Sequence, residues 1–187
     1  MLSHLRPALV LLLLFTLVTG VLYPLAVTGI AALAFPEQSA GSLLQRQGRV
    51  IGSALIGQRF TAPRYFHGRP SAAGAQGYDA MASGGSNLAP TSAALVARVR
   101  ADIAAADARP GPIPADLVTA SASGLDPDIS PAAAQAQVAR VAAARGWPVE
   151  RVRAAVDGAT ELPLLGFLGE PRVNVLRLNL ALDAAAR

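Results

Sequence analysis

The feature that most constrains this chain is an uncharged apolar run near its start. Residues 7–35, PALVLLLLFTLVTGVLYPLAVTGIAALAF, contain no charged side chain. A helix needs about 20 apolar residues to cross the hydrocarbon core of a bilayer, so this run predicts one transmembrane helix. A cleaved signal peptide is the alternative, because Ala32-Leu33-Ala34 offers a small-x-small cleavage pattern. Signal peptides have an apolar region of only about 7–15 residues, which favours an uncleaved membrane anchor.

The predicted anchor contains small residues and a helix-breaking residue. Pro24 predicts a kink, because proline has no N–H to donate to the carbonyl four residues back. Thr16 and Gly20 lie one helical turn apart, and Thr28 and Gly29 follow further along. Small residues at this spacing let a second helix approach closely. The pattern therefore predicts an anchor that packs against another membrane helix.

The charges that flank the run predict its orientation. Arg6 and the amino terminus precede it, whereas Glu37 is the first charged residue after it. Basic residues close to a span favour the cytoplasmic side, so we expect the amino end inside. The predicted organisation is a cytoplasmic tail at 1–6, a transmembrane helix at 7–35 and an extracytoplasmic domain at 36–187.

Hydrophobic periodicity predicts an α+β domain after the anchor. Glycine mixed with apolar residues predicts a strand or a bulged strand within 48–60, and residues 61–92 are rich in Gly, Pro and Ser, which predicts a loop. Strict alternation of leucine with other residues predicts a final strand over 172–183, with a bulge near Val175. Apolar residues at helical spacing and capping signals predict three helices, at 92–107, 131–145 and 148–158.

Composition excludes several classes of protein. All 16 basic residues are arginine, scattered along a chain whose formal net charge is +4. A nucleic-acid-binding protein concentrates its basic residues on one face or combines them with stacking aromatics, and this sequence does neither. Because cysteine is absent, disulfides, thiolate zinc sites and a cysteine nucleophile are excluded as well.

The stretch most suggestive of chemistry is DLVTASASGLDPDIS, residues 116–130. A serine nucleophile needs an adjacent base, and His67 is the one histidine outside the amino-terminal tail. A membrane-tethered serine hydrolase using Ser121 or Ser123 with His67 therefore stays open as an alternative. A G-x-S-x-G elbow, which would support it, is missing from the sequence.

Metal and phosphate sites have weaker support in the sequence. Asp126 and Asp128 are two residues apart, but the further acidic ligands of a calcium loop do not follow. Gly84-Gly85 resembles a phosphate-binding turn, yet no P-loop motif is present and the chain has no lysine. Local chemistry favours structural roles, with turns near the aspartates and Ser130 capping the next helix. We therefore predict no catalytic residue and no metal ligand.

Several segments, taken in order, are similar to one family. The chain resembles the C subunit of the Kdp potassium-transporting ATPase, a bacterial P-type pump complex, along nearly its full length. The matching segments are TLVTGVLYPLAVTGI, GSALIGQRF, YFHGRPSAA, YDAMASGGSN, DLVTASASGLDPDISPAAAQAQVARVAAARG and LGEPRVNVLRLNLALD.

The resemblance implies a non-catalytic accessory subunit of a high-affinity potassium uptake complex in the cytoplasmic membrane. Its implied partners are a channel-like potassium-binding subunit, a P-type ATP-hydrolysing subunit and a small single-span subunit. It also implies a chaperone-like role that raises the ATP affinity of the hydrolysing subunit. The residues themselves predict no cofactor. ATP enters only because Gln137 matches a family glutamine implied to contact nucleotide.

Two of these expectations conflict. A domain outside the membrane cannot meet cytoplasmic ATP, so neither Gln137 nor the Gly84-Gly85 turn could then touch it. An effect on ATP affinity would instead be a coupling carried through the complex. A secreted binding protein, cleaved after Ala34, is a further alternative.

Overall fold

The computed structural model describes residues 4–106 and 112–186. It divides into two compact units, residues 1–53 and 54–187. The predicted tail at 1–6 and the end of the helix predicted at 92–107 lie partly outside the described residues. One long apolar helix precedes a region of mixed helix and sheet, which confirms the coarse fold prediction.

The first unit is built on one continuous helical rod, Leu5–Ala34. Its 30 residues are apolar enough and long enough to cross a membrane by length and composition, about 45 Å at 1.5 Å per residue. The rod ends at Phe35, and a short helix and a β-hairpin follow it. Its elements are α1 (Leu5–Leu17), a π-helical turn (Val18–Leu22), α2 (Tyr23–Ala34), α3 (Pro36–Ser39), β1 (Leu43–Arg46) and β2 (Arg49–Ser53).

Proline accounts for the π-helical turn in the middle of the rod. Pro24 has no N–H, so the carbonyl of Gly20 loses its normal helical partner. The N–H of Tyr23 reaches five residues back, to the carbonyl of Val18, which is the π-helical pattern. The missing N–H of Pro24 is thus accommodated by a widened turn directly before it, and the kink predicted at Pro24 remains a prediction.

The β1–β2 hairpin confirms the strand predicted after residue 48. The strands are antiparallel, and their register shifts between Leu44 and Gln45, so that Ile51 is the extra residue of a bulge. Gln47 and Gly48 form the turn and both have positive φ, 53° and 75°. Two such residues give the turn that matches the twist of paired strands.

The second unit packs helices on a small antiparallel sheet. The strand order is β3-β5-β4, so the last strand lies in the centre. The core consists of apolar side chains from the four helices after residue 130, the sheet and Phe66 of the loop region. The elements are α4 (Ala93–Ala106), β3 (Asp128–Ile129), α5 (Pro131–Gln135), α6 (Val138–Arg145), α7 (Val149–Gly158), β4 (Thr160–Glu161), β5 (Arg172–Asn174) and α8 (Val175–Ala184).

The predicted final strand is wrong over most of its length. Only Arg172–Asn174 is a strand, and Val175–Ala184 is a helix. The Asn174 side chain starts it by accepting a hydrogen bond from the N–H of Arg177, which is a helix N-cap. Buried positions then follow the helical period rather than alternating; they are Val175, Leu176, Leu178, Asn179 and Leu182. The alternating leucines are compatible with both the strand period and the helix period, and the Asn174 cap favours the helix.

The helix predicted at 131–145 is correct in extent but interrupted. α5 ends at Gln135 and α6 begins at Val138. The N–H of Gln137 bonds to the carbonyl of Ala134, and the Gln137 side-chain Nε2 donates to the carbonyl of Ala133 instead. The side chain thus takes the acceptor that a regular helix would give to the backbone.

The remaining element predictions are confirmed. α4 and α7 lie where helical spacing places them, and Ser130 caps α5 by accepting from the N–H of Ala133, 3.0 Å away. Most of residues 54–92 is irregular, with one short 3₁₀ turn at Ala80–Ala82. This loop region supplies most of the candidate site.

Candidate functional site

The membrane helix presents its whole surface outward. None of the residues in α1, the π-helical turn or α2 is buried by the first unit. Thr16, Gly20, Pro24 and Thr28 follow one another at intervals of four residues, so they form one row along the helix. We call these four residues the small-residue row. Gly29 lies beside its end, and the partner contact predicted for all five residues remains a prediction.

Among the described residues, no neighbour requires glycine at position 20. A Cβ built there would meet only the Thr16 Cγ2, at 4.0 Å, and one at Gly29 would meet nothing within 4 Å. Both positions therefore have room for a side chain. The small residues at these positions are therefore not required by the packing of the helix itself.

Gln137 lies in the second unit and is completely buried. Its Oε1 accepts from the N–H of His67, at 2.9 Å, and its Nε2 donates to the carbonyl of the same residue, at 3.0 Å. Arg140 also donates to Oε1, at 2.6 Å. With the Ala133 bond, both ends of the amide are bonded within the chain. This geometry favours a structural role, while the predicted nucleotide contact stays a prediction.

Asn179 binds the backbone of Phe66 in the same way as Gln137 binds that of His67. The sequence did not indicate this role for Asn179. Its Oδ1 accepts from the N–H of Phe66, at 2.8 Å, and its Nδ2 donates to the Phe66 carbonyl, at 3.0 Å. Two buried amides, Gln137 between α5 and α6 and Asn179 in α8, thus bind the backbone of residues 66–67. An amide on an otherwise apolar helix face was the available signal, since buried polar groups need partners.

The serine- and aspartate-rich stretch, residues 116–130, forms local structure. Asp116 accepts from the N–H and the hydroxyl of Ser130, at 2.7 and 3.1 Å. Asp126 pairs with Arg69 at 2.9 Å. A Cβ at Gly124 would lie 2.7 Å from backbone atoms of Ala73 and Gly84, so the close approach of these loops requires glycine there.

The residues of the alternative hydrolase are bonded to their own loops. Ser123 Oγ accepts from the N–H of Leu125, at 3.1 Å, and Ser121 is buried. The His67 Nε2 lies 3.2 Å from the carbonyl oxygen of Ala62. The Gly84 N–H of the glycine turn donates to the Ser123 carbonyl, at 2.8 Å. These contacts support the structural interpretation of the stretch.

A basic cavity of about 430 Å³ opens beside Gln137. Arg59, Arg69 and Arg98 line it together with Asp102, which pairs with Arg98 at 3.1 Å. Burial, and secondarily the charge of Asp126, raises the pKa of Tyr78 to about 12. The Tyr78 phenol therefore stays protonated at neutral pH, and it donates to the Arg69 carbonyl, at 2.7 Å.

Asp128 gives the second unit a pH dependence. Burial raises the pKa of this carboxyl, and the bond from Asn174 Nδ2 opposes the rise. A raised pKa in the folded state means that ionisation of Asp128 destabilises the fold. Its favourable contribution is present at low pH and is lost as pH rises through the folded pKa, above the ordinary value of 3.8.

We expect Asp128→Asn to remove the loss of stability at higher pH, because the asparagine oxygen still accepts a hydrogen bond from Asn174 but the side chain does not ionise. The measurement is the free energy of unfolding of the full chain in detergent, from Trp147 fluorescence at a series of pH values. Relative to the variant, the wild type should lose stability as pH rises above about 4. A difference that is the same at every pH contradicts the assignment.

Comparisons with known proteins place the chain in a family. Residues 5–184 match the family described as K+-transporting ATPase, c chain. A potassium-transporting ATPase KdpC subunit of Gemmatimonas aurantiaca is 64% identical, covering 98% of this chain and 94% of that protein. The same subunit of Caulobacter vibrioides is 63% identical with the same coverage. That of Methylorubrum populi is 56% identical over the full length of both.

The name common to these relatives is that of a subunit of an ATPase, not of its catalytic chain. The chain accordingly belongs to the KdpC family, the c chains of K+-transporting ATPases.

Proposed function

We propose that this chain is a non-catalytic accessory subunit that assembles and stabilises a high-affinity potassium uptake complex. The observation that carries the proposal is a long apolar helix with no buried residue, which bears the small-residue row. An apolar surface of this size needs lipid or other helices around it. The small residues favour helices at part of that surface.

The partners we propose are those of a multi-subunit pump. They are a channel-like potassium-binding subunit, a P-type ATP-hydrolysing subunit and a small single-span subunit. The second unit lies outside the cytoplasm, over the potassium entrance. Arg6 in the first turn of the helix and Glu37 after its end support this orientation.

The orientation can be tested with a single cysteine, because the chain has none of its own. Ala154 is exposed on α7, so Ala154→Cys gives an accessible thiol. A membrane-impermeant maleimide should label it in intact cells. Labelling that requires broken cells places the domain in the cytoplasm and contradicts the proposal.

We further propose that the chain raises the ATP affinity of the hydrolysing subunit by coupling rather than by contact. Coupling between two sites needs no shared ligand, and Gln137 already has partners for both ends of its amide. Direct contact would use the cavity beside Gln137, where the three arginines could meet phosphate oxygens. The two routes predict different binding to the chain alone.

The experiment compares the purified complex with and without this chain, at saturating potassium. We expect the KM for ATP to rise when the chain is absent, by about fivefold or more for a typical coupling energy. The full chain in detergent should bind no ATP at concentrations near that KM. An unchanged KM contradicts the proposed effect on ATP affinity, and tight ATP binding by the chain alone supports contact over coupling.

A further inference from the structure

A contiguous group of large apolar side chains is exposed on the second unit. Between β4 and β5 the sequence reads LPLLGFL, residues 162–168, which we call the apolar tip. Its large side chains are 51–78% exposed; they are Leu162, Leu164, Leu165, Phe167 and Leu168. Exposed apolar residues are ordinary when scattered singly, but a contiguous group marks an interaction site.

The apolar tip is held in a fixed shape. Leu164 and Leu168 form an isolated antiparallel bridge, in which each backbone N–H donates to the other's carbonyl, at 3.2 and 2.9 Å. Leu165 and Gly166 turn the chain with positive φ, 57° and 81°. Leucine in this conformation costs about 1–2 kcal/mol. The turn thus lowers the stability of the fold and leaves the Leu165 side chain 75% exposed.

The base of the tip is rigid as well. β5 is the central strand of the sheet, and its Val173 is completely buried. Glu161 joins the two strands, since its carboxylate binds Arg172 at 3.0 Å and Arg177 at 3.1 Å. A preformed apolar protrusion on a rigid stem loses little conformational entropy when it binds.

Charge decides between a membrane and a protein as the occupant. Residues 162–171 contain no basic residue, and Glu170 is exposed two residues after the tip. The two arginines at the base of the tip, Arg172 and Arg177, are already paired with Glu161. Segments that lie in a membrane surface are rich in lysine or arginine on their polar side, which anionic lipids attract. Glu170 would be repelled there. A depression in the surface of another protein, with apolar side chains at its floor and basic side chains at its rim, fits both the apolar tip and Glu170.

We propose that the apolar tip docks into an apolar, basic-rimmed depression on another subunit of the same potassium-transporting complex. This inference rests on the proposed assembly role and adds a second contact, made by the domain, to that of the membrane helix. The leucines and Phe167 fill the depression, and Glu170 pairs with a cation at its edge. Such buried apolar anchors at the centre of an interface carry most of its binding energy.

Photocrosslinking identifies the occupant. Phe167 is replaced by the photoreactive analogue p-benzoylphenylalanine in the full complex, purified in mild detergent, and Ala154 is replaced in a matched control. Irradiation should give an adduct of position 167 with another subunit, and none at position 154. An adduct with phospholipid, an adduct between two copies of this chain, or no adduct at position 167 overturns the proposal.

A double substitution measures the contribution of the tip. Leu164→Ser with Phe167→Ser alters two side chains that are 70% and 73% exposed, so the domain should unfold as the wild type does. The amount retained by the pump subunits after washing should fall about tenfold or more. Met81→Ser, a control at a residue 97% exposed outside the tip, should be retained normally.

Two results separate the inference from the proposed function. If the wild-type chain itself never remains with the pump subunits, the accessory role fails. If the wild type and the double variant are retained equally, only the docking of the apolar tip is contradicted.

Discussion

Gly20→Leu is expected to separate this chain from its complex while leaving the chain itself intact. A Cβ at position 20 meets only Thr16 Cγ2, at 4.0 Å, so the substitution creates no clash within the helix. The added side chain instead fills the space that a partner helix would occupy. Overpacking a contact costs about 1–3 kcal/mol, and about 1.4 kcal/mol corresponds to a tenfold change in affinity.

The measurement is the amount of chain that remains with the other subunits after solubilisation in mild detergent. We expect Gly20→Leu to reduce it by about tenfold. Ala26→Leu is the matched control, since residue 26 is exposed on the same helix and outside the small-residue row. Equal retention of both variants would show that the row is not the contact surface. Equal membrane insertion of both must be confirmed first.

Gln137→Ala is expected to destabilise the second unit severely. The change removes the bonds of the Gln137 amide to the N–H and the carbonyl of His67, and the bond that its Oε1 accepts from Arg140 at 2.6 Å. Each buried polar group left without a partner costs about 1–3 kcal/mol. We therefore expect the free energy of unfolding to fall by about 3 kcal/mol or more.

Denaturant unfolding of the full chain in detergent, followed by fluorescence of Trp147, measures this loss. Trp147 is the chain's one tryptophan and packs against the core of the second unit. Gln135→Ala is the control, because its amide makes an exposed bond to Asp157, at 2.9 Å. Such surface changes are usually within about 0.5 kcal/mol of wild type.

The same variant separates the two roles considered for Gln137. A residue that only touches nucleotide could be replaced without loss of stability, and the KM for ATP would then rise in a normally folded complex. A residue that fastens the loop at His67 would lower stability whether ATP is present or not. Full stability of Gln137→Ala would contradict the structural role.

The structure of a segment can be predicted from its sequence when its apolar residues match only one period, that of a helix or that of a strand. α4 and α7 show only the helical period and have clear ends, so their positions follow from local sequence. The segment after Arg172 satisfies both the strand and the helix period. The Asn174 cap is local, but Asn174 also donates to the carbonyl of Ala54, and Asn179 accepts from the N–H of Phe66. The last two contacts join residues that are 120 and 113 positions apart in the chain. Local sequence does not contain them.

The candidate sites also divide into those that local sequence predicts and those that depend on distant parts of the chain. The small-residue row was found from spacing alone, because a membrane helix is fixed by its own sequence and its surface follows from the 3.6-residue period. Asn179 was missed, since its role depends on the backbone of Phe66, which is distant in sequence. The apolar tip was also missed. The sequence does not show whether its leucines are buried or exposed, and the structure shows them exposed.

The sequence by itself determined that this chain carries an apolar membrane helix, an α+β domain and the motifs of one family. Those features follow from composition, short-range periodicity and matching residues, none of which requires knowledge of distant contacts. Only the tertiary structure decided that the last long element is a helix and that Gln137 and Asn179 hold a loop. It also decided that residues 162–168 face outward. The physical reason is that burial and hydrogen bonding of a residue depend on which distant segments fold against it.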